Sequence, residues 1–186
     1  VPVTKISEVL EEKIGDFESK PPKYILISEP QLSTTYLEFN MTNKTLKNKK
    51  VRKAINHAIN RQKLVEKIMK NQAYEIGKFG MTPPLPKIFK DYDFEGIEDV
   101  SYQYNPELAK QLLAEAGYPD GKGFPEAVLQ INSGGDRNIQ IAESIQSMLK
   151  ELGVNMKLNI LQFAQHLDNI DAGRADFYRL GWIADY

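Results

Sequence analysis

With 186 residues the chain has material for one well-buried core, and 24 Lys and Arg against 25 Asp and Glu leave a formal net charge of −1, so no global field draws it to nucleic acid or an anionic membrane. It contains no cysteine, which excludes disulfides and thiolate metal sites. No stretch approaches the roughly 18 to 20 apolar residues of a membrane span, and the chain lacks the charged start and apolar run of a signal peptide. The opening "VPVTKISEVL", with valine where an initiator methionine would stand, reads as a piece of something longer.

In chain order, Ile6, Val9, Leu10 and Ile14 follow helical spacing, and Gly15 stands where that helix would stop. "KPPK" breaks the pattern. "KYILIS" and "TTYLEFNM" are rich in β-branched and aromatic residues and are expected to be strands. Val51, Ala54, Ile55, Ala58 and Ile59 form one helical stripe and Leu64, Val65, Ile68 and Met69 a second, with a break near Asn60, which predicts two helices meeting at an angle. Residues 71–104 carry Gly77, Gly80, Pro83, Pro84, Pro86 and Gly96 and are expected to form a long irregular loop wrapping the domain.

"NPELAKQLLAEAGYP" has an asparagine N-cap, a proline at the first helical position, a Leu108/Leu112/Leu113/Ala116 stripe and Gly117 as its stop. Beyond it, "EAVLQIN" reads as a strand and "DRNIQIAESIQSMLKELG" as a helix with Ile141, Ile145, Met148, Leu149 and Leu152 inward. "VNMKLNIL" reads as a strand, "FAQHLDNIDAG" as a helix closed by Gly173, and "DFYRLGWI" as a strand. The order β-α-β-α-β with a helix in each crossover predicts parallel strands. Ligands of such sheets bind outside the carboxyl ends of the strands, and two of those ends are "NSGGDR" and "GWIADY".

Four stretches, "TTYLEFNMTNKTLKNKKVRKAINHAINRQKLVEKI", "YNPELAKQLLAEAGYPDGKGFP", "IAESIQSMLKELGVNMKLNIL" and "LDNIDAGRADFYRLGWIADY", give the sequence a resemblance to the bacterial solute-binding proteins, family 5, that serve oligopeptide and dipeptide ABC transporters. The resemblance implies an α/β fold, a periplasmic-binding-protein type II lobe with a mixed, mostly parallel sheet and helices on both faces. It implies that residues 1–186 form a single domain, the second lobe of a two-lobed protein, without the first lobe, the secretion signal or the return strands after Tyr186. The function it implies is peptide uptake by the substrate-binding component of an importer, periplasmic or lipid-anchored at the cell surface, monomeric, with a membrane permease as partner. No enzymatic activity, cofactor or metal is expected. Relatives of the same broad kind bind nickel complexes, glutathione or oligosaccharides, so another solute stays open, as does a small α/β hydrolase using Asp185 or Asp176.

In peptide-binding members that look like this, the aspartate three residues after the tryptophan takes the peptide's free α-amino group, which maps onto Asp185. Trp182 would supply a flat apolar wall and Arg179 a bidentate partner for a carboxylate. On an ideal strand Arg179 and Trp182 face opposite ways, unless Gly181 introduces a bulge. The plain alternatives are a core tryptophan at a strand end, a solvated turn aspartate and a surface ion pair for the arginine. "NSGGDR" is expected to be a flexible turn with Asp136 as helix N-cap, or else a cradle of backbone N–H groups. The run Lys44, Lys47, Lys49, Lys50, Arg52, Lys53 reads as a solvated face, and His57 and His166 as ordinary histidines without a third metal ligand.

Overall fold

The computed structural model describes residues 33–73 and 102–183. The chain falls into two units, Val1–Gln31 and Leu32–Tyr186, and every described residue lies in the second. The expected first helix, the "KYILIS" strand, the wrapping of the proline-rich loop and Asp185 lie outside the described residues.

Among the described residues, four strands, β1 (Ser33–Phe39), β2 (Ala127–Asn132), β3 (Met156–Leu161) and β4 (Phe177–Ile183), form one sheet in the order β1-β4-β2-β3. β2 pairs in parallel with both β3 and β4, and β1 closes the sheet antiparallel to β4. The β-α-β-α-β reading of the last third is borne out. β3 and β4 lie on opposite sides of β2, so the two crossovers run in opposite directions across the sheet.

The α-helices among the described residues are α1 (Lys49–Ala58), α2 (Arg61–Lys67), α3 (Pro106–Glu115), α4 (Asp136–Glu151) and α5 (Phe163–Asp171). The predicted break between α1 and α2 falls where Asn60 turns its side chain to cap α2, accepting from Lys63 N at 2.9 Å. Asn105 caps α3 by accepting from Leu108 N at 3.0 Å, with Pro106 at the first helical position, where its missing N–H costs nothing.

Period-2 alternation along β2 sorts its side chains between two layers. Leu129 and Ile131 enter the main core with Ala142, Ile145 and Leu149 of α4, Val51, Ala54 and Ile55 of α1, and Leu113 of α3. Gln130, between them in sequence, turns to the opposite face and bonds His166 of α5. Helices therefore cover both faces, as expected. On α4, Ala142 is buried and Ile141 only half-buried, so the inward stripe lies one residue from its predicted edge.

Candidate ligand site at the strand ends

β2 and β4 are paired at only two positions, Leu129↔Phe177 and Gln130↔Tyr178. β4 then continues along β1 to the pair Ser33↔Ile183, while β2 stays with β3 to Asn132↔Leu161. The carboxyl ends of the two central strands thus part company after Tyr178. This is the edge at which an α/β sheet offers room to a ligand.

Arg179 is the first residue of β4 beyond the last β2 pair. Its Nη1 donates to Asn132 Oδ1 at 3.2 Å, bridging the gap to the end of β2. Its Nε is buried and has no hydrogen-bond partner among the described residues. Desolvation lowers the pKa of the guanidinium from its ordinary value. Nε belongs to the edge of the guanidinium fork with which arginine can meet a carboxylate side-on.

Trp182 lies opposite Thr34 on β1 and is 61% exposed, as is Ile183 beside it. It is not a core tryptophan. The β1–β4 register runs one-to-one through Thr35↔Gly181, so Gly181 introduces no bulge and the ideal-strand reading holds. Without a bulge, Arg179 and Trp182 take opposite faces of the strand. Sheet and sequence thus bring Arg179 to Asn132 and leave Trp182 on the other side.

The "NSGGDR" turn lies at the end of β2. Ser133 N extends the ladder to Leu161 O at 2.8 Å, and Gly135 takes φ 105° as N-cap of α4. The expectation of Asp136 as N-cap is corrected: it is the first helical residue, where its carboxylate meets the positive end of the helix dipole. A Cβ on Gly134 would stand 2.5 Å from Asn132 Nδ2 and 2.9 Å from Asn138 Nδ2, so a larger residue here would require those two side-chain amides to move aside.

Beneath the site is a buried polar network that the sequence reading passed over. His166 is fully buried, and Gln130 is 3% exposed. His166 Nε2 lies 2.9 Å from Arg179 O and Nδ1 lies 3.0 Å from Gln130 Nε2. Gln130 Nε2 also donates to His166 O at 3.2 Å, while its Oε1 accepts from Asn159 at 3.4 Å and Asn169 at 3.0 Å. The signal for this network was Gln130 itself, a polar residue inside a run that otherwise reads as a buried strand. His57 is different: half-buried, with Nδ1 2.8 Å from Gln103 O and its ring edge-on to Tyr102. No cluster of three or more His, Cys, Asp or Glu that would hold a metal occurs among the described residues.

Residues 4–186 match the family described as bacterial extracellular solute-binding proteins, family 5, middle region. The periplasmic oligopeptide-binding protein OppA of Salmonella typhimurium is 34% identical over 159 residues, covering 85% of this chain and 28% of that protein. Heme-binding protein A of Haemophilus influenzae is 30% identical over 165 residues, covering 88% of this chain and 29% of that protein. A crystal structure of a periplasmic oligopeptide-binding protein of Borrelia burgdorferi superimposes with a TM-score of 0.79 at 29% identity, covering 98% of this chain and 32% of that one. The chain therefore spans less than a third of the length of these relatives. By its family match over nearly its whole length, the chain belongs to the bacterial extracellular solute-binding proteins, family 5.

Proposed function

We propose that this chain is the second lobe of a two-lobed, extracytoplasmic peptide-binding protein that delivers its ligand to an ABC importer. The observation that carries the reading is the parting of β2 and β4 beyond Gln130↔Tyr178, with a half-buried arginine at the gap, in a chain of a solute-binding family. A peptide brings an ammonium, a row of main-chain amides, apolar side chains and a carboxylate. Asp185 is the proposed partner of the ammonium, Trp182 a wall for side chains, and the free edge of Arg179 the partner of a carboxylate. The chain binds its solute and does not transform it. Closure of two lobes around the peptide would present a joint surface to a membrane permease, with the whole protein monomeric and either periplasmic or anchored by lipid.

A second reading, in which the solute is heme, is favoured by the 30% identity to heme-binding protein A. Calorimetric titration of the full-length protein with mixed tri- to pentapeptides, reduced glutathione and hemin separates the cases. Saturable peptide binding with Kd of about a micromolar or tighter is expected. Binding of hemin or glutathione without peptide binding would transfer the site to those solutes.

A further inference from the structure

We infer that His166 is a positioning residue for the ligand site: its Nε2–H holds the β4 main chain at Arg179, where the β2–β4 ladder ends. The inference rests on the solute-binding reading above. A carbonyl only accepts, so the 2.9 Å approach of Nε2 to Arg179 O assigns the imidazole proton to Nε2 and leaves Nδ1 to accept from Gln130 at 3.0 Å. Gln130 then spends both amide hydrogens, on Nδ1 and on His166 O, and both carbonyl lone pairs, on Asn159 and Asn169. A buried network saturated in this way has one geometry, because any shift strands a donor or an acceptor away from water.

The position of the histidine explains why a polar side chain is there at all. An apolar residue at 166 would fill the space between α5 and the sheet. It would leave Arg179 O, which lies past the last position paired with β2, without a donor. The imidazole N–H stands in for the missing strand N–H. The ladder can therefore stop at Tyr178 without orphaning a carbonyl, and β4 is free to diverge toward the ligand edge while staying fixed at its point of departure. Arg179 is held twice at that point, by its main chain to α5 and by its side chain to Asn132.

The test compares the full-length protein with His166→Gln, His166→Asn and Asn169→Ala, by amide hydrogen exchange resolved to segments and by calorimetric titration with tri-alanine and the mixed peptides. A glutamine amide nitrogen reaches about as far as Nε2, and that of asparagine does not. His166→Asn is expected to speed exchange in residues 179–183 and weaken peptide binding by about tenfold, with residues 127–132 and 156–161 unchanged. His166→Gln should restore both to within about threefold, and Asn169→Ala, further out in the network, should move both in the same direction by about threefold. Faster exchange across every strand in both His166→Asn and Asn169→Ala, or faster exchange at 179–183 with unchanged affinity, would overturn the positioning role, as would failure of glutamine to rescue. If the unaltered protein binds none of these peptides, the peptide reading itself falls, and the role of His166 toward that ligand falls with it.

Discussion

Three successive residues of β4 meet three different environments, and the first two each make a separate prediction. Phe177 is 2% exposed and stacks on Phe39 with ring centroids 4.8 Å apart, so it lies in the core across the β1–β4 pair. Phe177→Ala is expected to cost about 3 to 5 kcal/mol of unfolding free energy, read from urea unfolding, because transfer and cavity terms add. Tyr178 is opposite Glu38 on β1, and its pKa is pushed up to about 12, first by desolvation, then by its hydrogen bond to the Glu38 carboxylate. The folded state thus holds the phenol proton more tightly than the unfolded chain, whose tyrosine titrates at about 10. That contribution is present in full below about pH 10 and is lost as pH rises toward 12. Thermal unfolding at about pH 9 and about pH 11.5 should therefore show a larger loss for the parent than for Tyr178→Phe, and equal losses would contradict the linkage. Arg179, the third, exchanges solvation for one bond to Asn132 and a position at the gap.

At the scale of elements, much of the architecture was legible because local signals agreed with one another. The Asn105 cap, Pro106 at the first helical position and Gly117 at the end bracketed α3, and the turn at Asn60 separated α1 from α2. What was not legible depends on pairing between distant segments. The register through Gly181 is set by β1, about 145 residues away in sequence, and no property of "RLGW" alone reveals it. The Gln130–His166 network is likewise invisible to periodicity, since it is made when α5 lies over β2. Gly121 and Gly153 belong to the same class: a Cβ on Gly153, at φ 83°, would stand 2.3 Å from Asp120 O, so the turn after α3 and the turn after α4 meet backbone to backbone. Gly117 also has positive φ but faces open space. Gly117→Ala should therefore cost only about 1 kcal/mol, the conformational term, and Gly153→Ala clearly more. Urea midpoints for the two variants check this, and equal costs would mean that the close approach yields without strain.

For the whole molecule, the proposed ligand site lies at one edge of the sheet and rests on a few residues. Arg179 sits at the gap between β2 and β4, Trp182 is exposed beyond it, and Asp185 is the proposed ammonium partner. A net charge of −1 supplies no long-range attraction, so affinity has to come from desolvated local pairs. The most direct measurement is calorimetric titration of the full-length protein with one peptide in free and N-acetylated form, repeated in Asp185→Asn. Acetylation and the substitution are each expected to cost about 2 to 5 kcal/mol, and together little more than either alone, as two ways of breaking one desolvated pair. Equal binding of free and acetylated peptide would contradict this and make Asp185 a structural residue.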